Sequence, residues 1–136
     1  MSGAAPRPAG RRTGPRTAHG KARVARNARR HGLSLPVAAD TALAPEISAL
    51  AREIAGDGAS DARRAAAARI AEAQIDLIRI RQVRLAVTEQ LLAGNEVTRE
   101  LVRLDRYERR ALSRRKLALH DFDQAGWETL RLKVAN

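Results

Sequence analysis

Two long helical patterns meet at a glycine within residues 61–122, which read DARRAAAARIAEAQIDLIRIRQVRLAVTEQLLAGNEVTRELVRLDRYERRALSRRKLALHDF. Asp61 is a good N-cap residue, and the pattern after it predicts a helix to residue 93, about 50 Å long. Glycine suits the left-handed position after a helix, so Gly94-Asn95 predicts a break before a second helix over 96–120, about 40 Å long. Because the connection is so short, the two helices are predicted to run antiparallel as a hairpin.

The helix over 96–120 is amphipathic at 100° per residue. Its apolar side carries Val97, Leu101, Leu104, Ala111, Leu112, Ala118, Leu119 and Phe122. The opposite side carries five arginines spaced by three or four residues, here called the arginine ridge: Arg99, Arg103, Arg106, Arg110 and Arg114. One side of this helix is therefore predicted to pack against the hairpin partner, and the other side to face solvent.

Two charged residues, Glu108 and Arg115, interrupt that apolar side. Folding the hairpin places Glu108 opposite Arg81, and we predict that these two form an ion pair that fixes the register. The same fold places Arg115 near Gln74, with Asp76 one turn away. Each charge on the apolar side therefore has a predicted polar partner on the first helix of the hairpin.

The first helix of the hairpin carries apolar residues around much of its circumference. Predicted to face the partner helix are Ile70, Leu77, Leu85, Leu91 and Leu92. Predicted to point elsewhere are Ile75, Val83 and Val87. A helix of this kind needs more than one neighbour. We expect a shorter helix to supply one and a second copy of the chain to supply another, so the protein is a predicted homo-oligomer.

The shorter helix is predicted over residues 45–55. Ala44-Pro45 marks its start, since proline is tolerated in the first turn of a helix, and Gly56 with Gly58 marks its end. Its apolar stripe consists of Leu43, Ile47, Leu50, Ala51 and Ile54. The spacing of this stripe predicts one buried face.

The end of the chain alternates apolar and polar residues over 130–134, like a strand with no partner. A lone strand is not stable, so residues 123–136 are predicted to form an irregular C-terminal tail. The predicted fold is therefore all-α, with one helical domain over residues 36–122. It consists of a long antiparallel helical hairpin with a short third helix, preceded by a disordered basic arm.

The net charge of +11 is concentrated in residues 1–35, which hold nine of the 26 basic residues and none of the 15 acidic ones. This segment is also rich in proline and glycine, and it buries too little apolar surface to offset the entropy of ordering. We therefore predict a disordered arginine-rich arm. Within it, residues 21–30 suit a short helix on which Arg23, Arg26 and Arg30 share one face.

An arm of this charge is expected to bind a polyanion, and the hypothesis is sequence-independent contact with nucleic-acid phosphates. The residues expected to make these contacts are Arg11, Arg12, Arg16, Lys21, Arg23, Arg26, Arg29 and Arg30. The arginine ridge is a candidate second basic surface. Two alternatives stay open. The arm can be a solubilising tail, or the chain can be a helical interaction protein whose broad apolar face binds a protein partner or itself.

No pattern in the chain indicates catalysis, so neither enzymatic activity nor a cofactor is predicted. The chain has no cysteine, which excludes disulfides and thiolate metal sites. His120, Asp121 and Asp123 are interpreted as a helix end rather than as metal ligands, because a metal site needs three or four converging ligands. No apolar run reaches the length of a membrane span, and the cytoplasm is the expected location.

Two segments resemble those of a known group of proteins. Residues 13–34, TGPRTAHGKARVARNARRHGLS, resemble an N-terminal segment of many small uncharacterised bacterial proteins, of the form TGPRT-x-x-GKAR-x-x-RNA-x-x-HGL. Residues 104–116, LDRYERRALSRRK, resemble the C-terminal helix of the proteobacterial members. The two segments cover about a quarter of the chain. The resemblance implies a bacterial source, and it implies no particular activity.

Overall fold

The computed structural model describes residues 17–18 and 32–136 of the chain. A short 3-10 turn, Val37–Ala39, is followed by three helices: α1, Ala44–Ala55; α2, Asp61–Leu92; and α3, Thr98–Val134. The described part contains no strand. α2 and α3 pack against each other as an antiparallel hairpin, and α1 packs against α2. The predicted all-α hairpin with one short additional helix is confirmed.

The turn between α2 and α3 depends on Gly94. Its φ of 86° is left-handed, which glycine adopts without a Cβ penalty. The N–H of Gly94 donates to the carbonyl of Leu91 at 3.0 Å. The N–H of Asn95 donates to the carbonyl of Gln90 at 3.1 Å, which completes a Schellman motif. The connection covers residues 93–97 and is longer than the predicted two residues, because α3 begins later than expected.

Side chains cap the starts of both long helices. Ser60 Oγ accepts a hydrogen bond from the N–H of Arg63 at 3.2 Å. Ser60 is therefore the N-cap of α2, and the prediction of Asp61 is wrong by one residue. At α3, Glu96 Oε1 accepts a hydrogen bond from the N–H of Thr98 at 2.9 Å. Hydrogen bonds from the side chain and then the backbone of Thr98 lower the pKa of Glu96 below its ordinary 4.5.

Buried side chains between α2 and α3 recur every seventh residue and form a continuous row on each helix, here called the seam. On α2 the row is Ala66, Ala73, Ile80 and Val87. The facing row begins at Val97, the N-cap of α3, and continues on the helix with Leu104, Ala111, Ala118 and Ala125. A seven-residue repeat keeps one face of each helix turned towards its partner along the whole contact. Most of the alanines lie towards the open end of the hairpin, where small side chains leave room for a close approach of the two backbones.

The largest almost fully buried side chains lie in the half of the hairpin nearest the connection. They are Leu77, Ile80 and Val87. These side chains form one cluster with Leu104 and Ala111 of α3. Burial of a leucine, isoleucine or valine side chain contributes about 1.5–3 kcal/mol, so this cluster is a large part of the apolar stabilisation of the hairpin.

α1 covers the N-terminal half of α2 on a face away from the seam. Ile47 of α1 packs with Ala71 and Ile75 of α2, together with Val37 of the 3-10 turn. The partly buried members of this cluster are Leu43, Leu50, Ala51 and Ile54. The predicted apolar stripe of the short helix is confirmed, as is the prediction that Ile75 points away from α3. α2 therefore has two neighbours in its N-terminal half.

The prediction of which α2 residues face α3 is wrong in its C-terminal half. Leu85, Leu91 and Leu92 were predicted to face α3, but all three are exposed. Val83 and Val87 were predicted to point elsewhere, but they pack towards α3. Val87 lies in the seam because it follows Ile80 by seven residues. The position seven residues after Leu77 is Arg84, and Leu85, as the next residue, lies on the outer face.

Residues 123–136 continue α3 to Val134, so the predicted irregular tail is wrong. Ala125 follows Ala118 by seven residues and is buried, which shows that the seam extends into this segment. The alternating apolar residues at 130–134 are exposed and belong to no packed face. The alternation of apolar residues at 130–134 therefore did not predict the helix. Burial of Ala125 against α2 accompanies the extension of α3.

Gly32 and Leu33, which precede the predicted domain over residues 36–122, also contact the helices. The Gly32 carbonyl accepts a hydrogen bond from the guanidinium of Arg79. Leu33 packs against the buried cluster between α2 and α3. These contacts join residues that are far apart in the sequence. Composition cannot reveal such contacts, and it therefore assigned Gly32 and Leu33 to the arm.

The rest of the predicted arm, residues 1–16 and 19–31, lies outside the described residues. The predicted disorder of this segment and the predicted helix over 21–30 therefore lie outside them as well. Among the helices that the structure describes, none combines the length and apolar composition needed to cross a membrane.

Candidate nucleic-acid interface

The arginine ridge runs along the outer side of α3, and every member is exposed. Residues three or four apart on a helix are neighbours, with Cβ atoms about 5–6 Å apart, so the five guanidinium groups follow one row about 22 Å long. Within the described residues, only Arg114 of the ridge has an ion pair, at 2.5 Å to Asp76. The other four members form no ion pair with another described residue, although the charge of Arg99 helps to lower the pKa of Glu96.

Two carboxylates on α3 are bound by Arg84 of α2, away from the ridge. Arg84 Nη2 lies 2.8 Å from Asp105 Oδ1 and 2.9 Å from Glu108 Oε2. The hydrogen bond to Asp105, and then the charge of Glu108, raise the pKa of Arg84 although partial burial opposes the shift. The predicted pair of Glu108 with Arg81 is wrong, because position 84 lies in line with the buried face and Arg81 is exposed. These two carboxylates are held on another face of α3 and do not neutralise the ridge.

The polar contact predicted for Arg115 is confirmed. Arg115 Nη1 donates a hydrogen bond to Gln74 Oε1 at 3.0 Å. Two residues further along α2, Asp76 pairs with Arg114 and lies 3.6 Å from Arg79 Nη1. The carboxylate of Asp76 thus ties the last member of the ridge to α2.

The arm joins the body beside the arginine ridge. The segment 33–36 lies against α3, where Leu33 and Tyr107 pack on the same buried cluster. A cleft of about 540 Å³ opens between this segment and α3, and its lining includes Tyr107, Arg110 and Arg114. The segment that follows residues 1–31 therefore lies next to the ridge, and nine basic side chains precede it in the sequence.

A smaller concavity of about 210 Å³ lies on the ridge itself, lined by Arg103, Arg106, Tyr107 and Arg110. Guanidinium groups form charge-assisted hydrogen bonds with oxyanions, and a phenol hydroxyl adds a further donor. This group of side chains can therefore hold a phosphate. Tyr107 was not predicted as a site residue, although its position between two ridge arginines was a signal available in the sequence.

The arm residues predicted to bind nucleic acid lie outside the described residues: Arg11, Arg12, Arg16, Lys21, Arg23, Arg26, Arg29 and Arg30. No family model, curated protein or solved structure matches the chain. The resemblance of residues 13–34 and 104–116 to small bacterial proteins stays a prediction. The interface is therefore described from its own geometry.

A second cleft, of about 610 Å³, lies at the open end of the hairpin and includes Phe122 and the exposed Trp127 in its lining. The guanidinium of Arg63 stacks 4.0 Å from the centroid of the Phe122 ring. Arg63 Nε donates to the Ala55 carbonyl at 3.3 Å. A Cβ at Gly126 would lie 2.9 Å from Arg63 Nη1, so glycine makes room for this stack. Sequence analysis missed this contact, which ties the end of α1 to α2 and α3.

His120, Asp121 and Asp123 lie within α3, so the predicted helix end at this point is wrong. Asp121 Oδ2 forms an ion pair with Arg69 Nη2 at 3.1 Å, which links α3 to α2. His120 and Asp123 are exposed. Among the residues that the structure describes, no group of three or more histidine, aspartate or glutamate side chains is placed to hold a metal ion.

Proposed function

We propose that the protein is an accessory nucleic-acid-binding protein of the cytoplasm, whose arm and arginine ridge make sequence-independent contacts with phosphates. The observation that carries the proposal is the junction of the arm with the body. Nine basic residues precede a segment, 33–36, that lies beside Arg110 and Arg114, and four members of the ridge form no ion pair with another described residue. The basic segment thus enters the body at a basic surface, and this combination is expected to attract a polyanion.

The dimensions of the ridge support a nucleic-acid backbone as the ligand. A row about 22 Å long matches about six base pairs of duplex at 3.4 Å per pair. Guanidinium groups bind phosphate through paired hydrogen bonds, and each contact releases a condensed counterion. Phosphate contacts position a protein on the duplex without selecting a sequence, so the proposed binding has little base preference.

Fluorescence anisotropy with labelled duplex DNA and RNA, over a series of salt concentrations, tests this proposal. The ridge variant changes Arg103, Arg106 and Arg110 to glutamine. The control variant makes the same charge change at exposed positions away from the ridge, Arg52, Arg131 and Lys133. The arm variant changes its eight proposed contact residues to glutamine.

The arm and ridge variants should bind at least about tenfold more weakly, and each lost phosphate contact should reduce the salt slope by about 0.9. The control variant should stay within about threefold of the wild type. Binding by the arm variant that equals that of the wild type overturns the proposal. Equal losses in the ridge and control variants overturn the part of it that assigns contacts to the ridge.

A second candidate function, a helical interaction or assembly protein, is favoured by a different observation. Leu85 and Leu92 of α2 are 68% and 83% exposed. Soluble monomers rarely expose large contiguous apolar patches, and exposed leucines along one helix face are a candidate protein-binding surface. In this role the apolar face binds a protein partner or a second copy of the chain. A stoichiometric protein complex that survives high salt and nuclease would support it over nucleic-acid binding.

A further inference from the structure

The outer face of α2 carries a second row of apolar residues with the seven-residue spacing of the seam. It runs through Ala71, Ile78, Leu85 and Leu92. Ala71 is buried, but the exposed fraction is 39% at Ile78, 68% at Leu85 and 83% at Leu92. We call the last three residues the outer row. Among the described residues, this row therefore has a neighbour at one end and none over most of its length.

α1 shows what kind of element packs on this face. Ile47 of α1 packs with Ala71 and Ile75, so a helix already covers the first position of the row within the same chain. From residue 78 to residue 92 the face is about 21 Å long, which is about four helical turns. The uncovered part therefore has the length and spacing to receive one more helix.

We propose that a second copy of this chain covers the outer row, with the two α2 helices antiparallel and a two-fold axis at Leu85. Ile78 precedes Leu85 by seven residues and Leu92 follows it by seven. In this arrangement Leu85 meets the same residue of the partner subunit, and Ile78 meets Leu92 of the partner subunit. The surface is thus complementary to itself, as a two-fold interface requires.

The exposed residues on either side of the outer row fit the same arrangement. Arg81 and Thr88 lie along one edge of the row. Gln82 and Glu89 lie along the other edge. Like edges meet in an antiparallel pair, so Arg81 faces Thr88 of the partner subunit. On the other edge, Gln82 faces Glu89 of the partner subunit. Each contact joins a charged group to a neutral hydrogen-bonding group, and no like charges meet.

The position of α1 favours the antiparallel direction. In a parallel pair the two copies of α1 would both lie between the α2 helices, because each covers Ala71 on the face that must meet. In the antiparallel pair, residue 71 lies level with residue 99 of the other copy, past the end of α2 at Leu92. Each α1 then lies beyond the partner helix, and the two outer rows can come into contact.

This interface uses no residue of the arm or of the arginine ridge, so it stands independently of the proposed function. A net charge of +11 on each copy opposes association at low salt. Added salt screens this repulsion. Self-association should therefore strengthen as salt rises, whereas phosphate binding weakens.

Analytical ultracentrifugation of the full chain at about 0.5 M salt tests the interface. Leu85→Glu should raise the Kd of the dimer at least about 100-fold, since one leucine is lost from each subunit. Leu117→Glu is the matched control, at a position of α3 that is 62% exposed. Circular dichroism should show unchanged helicity in both variants. A wild type that is monomeric up to about 100 µM, or equal effects of the two variants, overturns the proposal.

Disulfide trapping tests the direction of the helices, and because the natural chain has no cysteine each introduced thiol is unique. Ile78→Cys chains mixed with Leu92→Cys chains should form a mixed disulfide under mild oxidation. Ile78→Cys chains alone should not crosslink, since the two copies of residue 78 lie about 21 Å apart along the helix. Crosslinking of Ile78→Cys with itself and no mixed product overturns the antiparallel arrangement.

Discussion

Arg84 occupies a position where the seven-residue pattern of α2 would otherwise place an apolar residue after Leu77. Its guanidinium reaches α3 and holds the carboxylates of Asp105 and Glu108. The Arg84 and Glu108 side chains are each 31% exposed, so their loss of hydration is partial. A charged group is tolerated in this row because it has two carboxylate partners and keeps some contact with water.

Arg84→Ala should lower the free energy of unfolding by about 1 kcal/mol, because it removes two ion pairs and leaves two like charges near each other. Arg81→Ala, at an exposed position one turn earlier, should change it by less than about 0.5 kcal/mol. Urea unfolding followed by circular dichroism measures both. Equal effects of the two substitutions would contradict the assignment of the ion pair to Arg84.

Glu96 contributes to the start of α3 in a pH-dependent way. Its pKa in the folded protein lies below the ordinary value of 4.5, so the stabilisation is complete above that value and is lost as pH falls through the folded pKa. An NMR titration should show the Glu96 carboxyl titrating below 4.5, together with a shift of the Thr98 amide. In Thr98→Val, which lacks the hydroxyl donor, the pKa of Glu96 should rise towards its ordinary value. A pKa at or above 4.5 in the wild type would disprove the cap.

At the scale of the helices, the buried alanines of the seam allow α2 and α3 to pack closely. Ala118 is buried between them, and a larger side chain there has no space without movement of a helix. Ala118→Leu should therefore destabilise the protein by about 1–3 kcal/mol. Ala86→Leu, at an exposed position of α2, should stay within about 0.5 kcal/mol of the wild type. Thermal unfolding compares them, and a neutral Ala118→Leu would show that the helices are not closely packed at this level.

The existence of the helices was predictable, but the faces that they bury were only partly so. Gly94 and the helical spacing on either side of it were enough to indicate the hairpin, because these signals are local. Whether Leu85 is buried depends on how α2 is rotated against α3. Hydrophobicity predicts that Leu85 faces α3, but Arg84 takes the position facing α3 and Leu85 is exposed. The extension of α3 past residue 122 depended on burial of Ala125, a residue too small to stand out in an apolar pattern.

For the whole molecule, the sequence indicated both basic segments but not their relation to each other. The spacing of the ridge arginines placed them on one row, since helical periodicity is a local property. The junction of the arm with the ridge depends on Leu33, which packs in the same cluster as Tyr107 from a distant part of the chain. No local pattern could report that contact. Charge distribution therefore predicted the character of the proposed surface, and tertiary packing determined where the described body starts relative to the ridge.

A row built largely from alanine every seventh residue has one weakness, because sliding α3 along α2 by one repeat would again bring alanine against alanine. Arg84, which lies beside that row on α2, makes the alternatives unequal. A slide in one direction would carry Arg84 from Glu108 to Arg115, and a slide in the other would carry it to Leu101. The first brings two cations together, and the second leaves a cation against a leucine. Electrostatics therefore disfavours hairpins of this chain that are shifted by one repeat.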